Sequence, residues 1–330
     1  MKLFFVGDFD SDNGPASVNK ALKKYMPNNT LYSMETKLYK RIIELYSKIR
    51  KSDAVLFSGL SKINIIGFKM AKLLGKKSAY LMHGSALLEG KINQNSNSKL
   101  INVEKQTLKV APITICVSEN FMESIKVSYP QWIDKLTFVN NGIDWGMIEA
   151  SDYENVKREP KTLLCVGGGV PLKKIKVVCE AIDYLNTHKN SNLKLIVIGA
   201  VGKDTNKIKS YPFVQYIEKV AKKDMESYYK KSYLYIQNSE FETFGLATME
   251  ALIGGCNLLI SQNVGAKAII NGLEANDLIN DVDNIKEISN KIMHNLFNSN
   301  NNRLINSIKK DQTSVESSYK KIMHILAEAE

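Results

Sequence analysis

Two carboxylates, Glu242 and Glu250, bracket a glycine in the stretch Glu240-Phe-Glu-Thr-Phe-Gly-Leu-Ala-Thr-Met-Glu250. The preceding run Tyr233-Leu-Tyr-Ile-Gln237 reads as a buried strand, and residues 244–253 read as a helix whose N-terminus can meet an anion. Gly245 lets the backbone of this turn come close to phosphate. Paired acids could serve hydrolysis, but such a pair flanks one bond in one pocket. Here the turn separates them, so each would hold a different part of one ligand, as a sugar nucleotide requires.

Other residues could act on the same kind of ligand. Gly167-Gly-Gly169 runs into Pro171-Leu-Lys173-Lys174 ahead of a helix over about 175–186. Leu172 stands where a dinucleotide fingerprint needs its third glycine, and no Gly-Lys-Ser/Thr follows. What remains is a flexible loop with lysines near a helix start: either a diphosphate clamp or the surface of a first turn. Gly14, in Gly7-Asp-Phe-Asp-Ser-Asp-Asn-Gly14-Pro15, would bring a second loop to the phosphates from the opposite domain. Asp8-x-Asp10, Asp10-x-Asp12 and Asp281-x-Asp283 have the shape of metal-binding pairs, yet aspartates are also common turn and cap residues. The expectation is no metal and no cofactor, with helix ends and lysine neutralising the diphosphate. His83 ends a strand over 78–82 and precedes Gly84-Ser85, which points it into a cleft more readily than a helix face would.

These loops need strands to carry them. Short apolar runs at 3–6, 54–57, 78–82, 114–117 and 137–139 alternate with helical stretches, and the pattern restarts at 162–166, 193–198, 214–217, 234–236 and 258–260. Alternation of this kind gives parallel sheets covered on both faces. The polar stretch 151–160 reads as a linker. Both halves begin alike, Leu3-Phe-Phe-Val-Gly7 and Leu163-Leu-Cys-Val-Gly167. The architecture is α/β, with two Rossmann-like domains facing a central cleft that collects the strands' carboxyl-end loops. The first domain spans 1–152 and the second 160–311, with a helix over 312–330 returning to the first.

The 330 residues suit two such domains. The four cysteines form no C-x-x-C pair and read as buried free thiols of a reducing cytosol. The apolar start at 3–6 is a first strand, too short for a signal peptide, and no run reaches the roughly 18 apolar residues of a membrane span. Residues 1–150 hold 21 Lys/Arg against 13 Asp/Glu. Lysine-rich segments such as 37–51 and 69–77 either meet anionic lipid headgroups or form a solvated face. Nucleic acid is not an expected partner: only four of the basic residues are arginine, and no recognition motif is present.

Taken in order, these segments resemble the retaining glycosyltransferases of family 4. Residues 239–252 look like that family's E-x7-E signature. Val117-Ser-Glu119, Val139-Asn-Asn-Gly142-Ile-Asp144, Leu164-Cys-Val-Gly167 with Lys173, and Ile198-Gly-Ala-Val-Gly202 support it. The resemblance implies the GT-B fold and transfer of a hexosyl unit, with retention, from a nucleotide diphosphate sugar, UDP-linked, to a glycan or lipid-linked acceptor. It places Glu242 by the donor sugar and Glu250 on the ribose hydroxyls, with amides near Phe244, Gly245 and Leu246 and the Lys173 ammonium on the diphosphate. His83 would line the junction of donor and acceptor. Together with a lysine- and asparagine-rich composition, the resemblance implies bacterial surface polysaccharide assembly, in the cytoplasm or peripherally on the membrane. One departure stands out: Gly168 occupies the position of a usual arginine, a diphosphate cation. A non-catalytic accessory subunit and a sugar-nucleotide epimerase of the same fold are the alternatives.

Overall fold

The computed structural model describes residues 1–147 and 158–328. It divides into one unit of Met1–Asp144 with Lys310–Glu330 and another of Trp145–Lys309. The first boundary thus falls ahead of residue 152 and the return crossing at 310 instead of 312. Residues 151–157 of the expected linker lie outside the described residues. Its last positions, Glu159 and Pro160, begin a strand.

In the first unit six parallel strands run in the order β2-β1-β3-β4-β5-β6: β1 Leu3–Val6, β2 Leu31–Tyr32, β3 Ala54–Ser58, β4 Lys77–Met82, β5 Ile113–Cys116 and β6 Leu136–Phe138. β1 and β3 are buried throughout, which explains their continuous apolar runs. The helix Gly14–Lys23 starts on an Asn13 cap, whose side chain accepts from the Ala16 amide. The helix Val315–Glu328 belongs to this unit. Val315 follows a parallel bridge between Ile143 and Ser314, and Ser318 Oγ donates to the Asn140 carbonyl.

The second sheet runs β12-β11-β10-β7-β8-β9, all parallel: β7 Glu159–Val166, β8 Lys194–Ile198, β9 Val214–Ile217, β10 Ser232–Gln237, β11 Asn257–Ser261 and β12 Leu278–Ile279. Val178, Ala181 and Ile182 of the helix Ile175–Lys189 pack with Leu163, Leu195 and Leu234 of the sheet in one buried core. β7 starts earlier than its apolar residues suggest because its exposed first turn, Glu159 to Lys161, still pairs with Ser232 across an irregular register. All four cysteines are buried and free. Among the described residues no helix is long and apolar enough to cross a membrane.

Candidate functional site

In the second unit, the site grows from the carboxyl ends of the neighbouring strands β10 and β7. Gln237 closes β10 with a buried amide whose oxygen accepts from Tyr235 Oη (2.8 Å) and Thr248 Oγ1 (2.7 Å). Those two bonds fix the amide, so its nitrogen must point outward, and it donates to Glu242 Oε2 at 2.5 Å. Lys173, from the loop after β7, reaches the same oxygen at 2.5 Å. Glu242 is therefore held by two donors on one oxygen, and its other oxygen is directed by that grip.

The turn carrying Glu242 is fastened to the segment after β11. Glu242 bridges Val264, and the Phe244 carbonyl accepts from the Ala266 amide at 2.6 Å. Phe244 is buried and Gly245 has φ +96, a left-handed conformation that favours glycine. Leu246 opens the helix Leu246–Ile253, which among the described residues has no side-chain cap. The positive end of that helix is thus available to an anion. Glu250 sits on the same helix and accepts from Tyr229 Oη at 3.0 Å. Burial raises the Glu250 pKa, and the Tyr229 hydroxyl and the nearby Lys222 charge offset only part of that rise.

Gly168, where the resemblance leads one to expect arginine, has φ +62, and a Cβ there would overlap the Gly199 and Ala200 backbone. Gly199 and Gly202 meet the 167–170 backbone just as closely, so the loops after β7 and β8 clasp main chain to main chain. The amides of Gly167 and Gly168 both donate to the Ile198 carbonyl, and that of Gly169 to the Ala200 carbonyl. The sequence suggests a flexible loop; the structure pins it, and its amides are engaged inward. Lys174 is also engaged, by Glu240 and Asp283 at 3.0 Å each. Burial alone would lower its pKa, but the bonds to Asp283 and Glu240 hold it above the usual lysine value. Lys173, paired with Glu242, and Lys174, paired with Glu240 and Asp283, thus both stand beside the signature turn in contact with its carboxylates.

In the first unit, Gly7, Ser58 and His83 lie at the ends of the adjacent strands β1, β3 and β4. Asn19, on the helix Gly14–Lys23, donates through Nδ2 to the Asp8 carbonyl and accepts through Oδ1 from Ser58 Oγ at 2.8 Å. Ser58 Oγ is also 2.9 Å from His83 Nε2. His83 is half-buried, and the cost of desolvating its charged form pushes its pKa down to about 4. Behind it, buried Glu104 anchors the Ser85 hydroxyl at 2.9 Å and the Ala86 amide at 2.5 Å. Gly14 is the first residue of its helix, and apart from its chain neighbours and its own helix backbone no described atom lies within 4 Å of where its Cβ would be. Protein packing therefore does not require glycine there.

Asp8-x-Asp10 and Asp281-x-Asp283 act as turn residues, while Asp12 of the third pair lies 3.9 Å from Lys20 Nζ. Asp8 Oδ1 accepts from the Asp10 and Ser11 amides, which with the Ser11 side chain hold its carboxyl below the usual value. Asp281 accepts from the Asp283 amide, and Asp283 pairs with Lys174. Among the described residues no three His, Cys, Asp or Glu groups gather as metal ligands would. Sequence reasoning missed Gln237, Tyr229, Ser58 and Asn19. Only Gln237, a polar residue ending an apolar strand, left a visible signal.

Residues 148–311 match the family described as glycosyl transferases group 1. This second half of the chain belongs to that family. The fold of the whole chain is GT-B, shared along nearly the full length with solved structures of low identity. HepE from Anabaena in complex with UDP is similar at TM-score 0.73 and 14% identity, covering 99% of this chain and 100% of that one. Sucrose-phosphate synthase from Thermosynechococcus elongatus follows at 0.72 and 13%, covering 99% and 98%. The E. coli trehalose-6-phosphate structure bound with UDP-2-fluoro glucose gives 0.69 and 8%, covering 100% of both chains. No curated protein sequence matches this chain.

Proposed function

We propose that this glycosyltransferase moves a hexosyl unit from a UDP-sugar to a glycan or lipid-linked acceptor, with retention of configuration and without a metal. The observation that carries the reading is the signature turn itself. Glu242, with one oxygen held by Lys173 and Gln237, and Glu250, braced by Tyr229, lie on either side of an uncapped helix start.

The division of labour follows from charge. As the bond from the anomeric carbon to the diphosphate oxygen breaks, negative charge grows on the departing UDP. The helix start and Lys173 stabilise it with groups already in place. Glu250 accepts from the ribose hydroxyls, and Glu242 presents its second oxygen to the sugar. The acceptor oxygen bonds to the anomeric carbon on the face that UDP leaves, and its proton departs with the diphosphate. His83, neutral at physiological pH, accepts a hydrogen bond from a hydroxyl of the substrates. The setting proposed is bacterial surface polysaccharide assembly on the cytoplasmic side.

The test is to incubate the protein with a panel of sugar nucleotides and acceptors, with and without excess chelator. UDP release from one donor, persisting in chelator and lost in Glu242→Gln, is the expected result. A second reading, an accessory binding subunit, is favoured by Gly168. Tight UDP binding without turnover of any donor would select it, and no binding at all would defeat both.

A further inference from the structure

The helix Leu38–Arg50 buries Leu45 and Ile49 completely. Its one carboxylate, Glu44, is also buried, accepting from the Met34 and Glu35 amides and from Lys48 Nζ. The outward face is not the polar surface that an amphipathic helix normally gives to water. Tyr39, Ile43 and Tyr46, at helical spacing, are 61%, 66% and 50% exposed, and Leu38 and Met34 extend the patch at 67% and 81%. Lys37, Lys40, Arg50 and Lys51, within the helix or next to its ends, are all exposed. Of the carboxylates in residues 34–53, Glu44 is buried, Glu35 is half-buried, and Asp53, beyond the helix, is exposed and accepts from the Lys2 amide.

We infer that this face docks on an anionic lipid bilayer, the helix lying in the plane of the interface. Tyrosine rings suit the headgroup level, where one end of the ring is apolar and the other wet. Leu38 and Ile43 enter the acyl boundary, and the lysines and arginine meet lipid phosphates. Charge decides between occupants. A second copy placed by a twofold axis would lay this stripe on itself and bring the same four cations together, and the helix has no exposed acid of its own to pair them. An anionic membrane supplies what the stripe lacks. The surface is independent of the transferase reading, because vesicle binding is measured without any sugar nucleotide.

The test is co-sedimentation of the full chain with vesicles of phosphatidylglycerol and phosphatidylcholine, against phosphatidylcholine alone. Binding to the anionic vesicles only, weakening as salt rises, is expected. Because each cation near the surface contributes about 1 kcal/mol, Lys37→Gln with Lys40→Gln should lower partitioning roughly 25-fold. Tyr39→Ser, Ile43→Ser and Tyr46→Ser together should abolish it while leaving the melting curve unchanged, since the buried face is untouched. The inference is overturned if the wild type ignores anionic vesicles at low salt, or if the triple variant binds as well as the wild type. It is equally overturned if light scattering shows a dimer, dispersed by the triple variant, that binds no vesicle.

Discussion

Ser58 Oγ stands 2.9 Å from His83 Nε2 while giving its own proton to Asn19 Oδ1, 2.8 Å away. The Asn19 amide is oriented by its Nδ2 bond to the Asp8 carbonyl, so the hydroxyl proton has one destination. Ser58 can then only accept from the imidazole. His83 carries its proton on Nε2, leaving a lone pair on Nδ1. Gly7 makes room for this relay, since a Cβ there would lie 2.8 Å from Asn19 Nδ2. Nitrogen NMR should report the Nε2–H tautomer in the wild type and a mixture of tautomers in Ser58→Ala. A pure Nδ1–H form in the wild type would refute the relay.

The low pKa of His83 has a definite sign in stability. Its folded value, about 4, lies below the ordinary 6.5, so the stability it contributes is present above pH 6.5 and is lost as pH falls toward 4. The loss reaches about 3 kcal/mol at pH 4. His83→Gln should flatten that limb of a denaturation series taken between pH 7 and 4. A limb identical to wild type would place the titration elsewhere.

Tyr229 braces Glu250, the acid proposed to hold the ribose. Removing only its hydroxyl, in Tyr229→Phe, takes away a hydrogen bond to a charged group, worth about 1.5–3 kcal/mol. UDP affinity should fall roughly 10-fold or more on that scale. Because that bond lowers the Glu250 pKa, its loss shifts the acid limb of UDP binding to higher pH. Calorimetric titrations at several pH values would read both effects, and a variant with unchanged affinity and limb would remove Tyr229 from the site.

An arginine at position 168 should do harm. Gly168→Arg places a side chain at φ +62 and drives its Cβ into the Gly199 and Ala200 backbone. A cost of roughly 3 kcal/mol or more is expected in chemical denaturation. A stable variant with tighter UDP binding would show that the clasp yields easily.

The alternation of apolar runs made both sheets legible, because strands buried on both faces, such as β3 and β11, cannot hide their composition. The two-residue strands β2 and β12 escaped, being too short to show a period. Within the site, Glu242, Glu250 and Lys173 were visible from their spacing around glycines. Ser58 and Asn19 were not, since they are 39 residues apart and meet only when β3 and its neighbouring helix are in place. The engagement of Lys174 by Asp283, 109 residues on, is likewise a product of folding alone.

The second unit interrupts the first, and synthesis is a one-way process. Trp145–Lys309 emerges as a continuous stretch and can collapse as soon as it clears the ribosome. The first unit, begun earlier, waits for Lys310 onward before Ser314 can bridge Ile143 and Ser318 can bond Asn140. The half made first is thus completed last. In the interval the nascent chain exposes the surface that Val315, Ile322 and Leu326 will cover, and there a chaperone would find its opening.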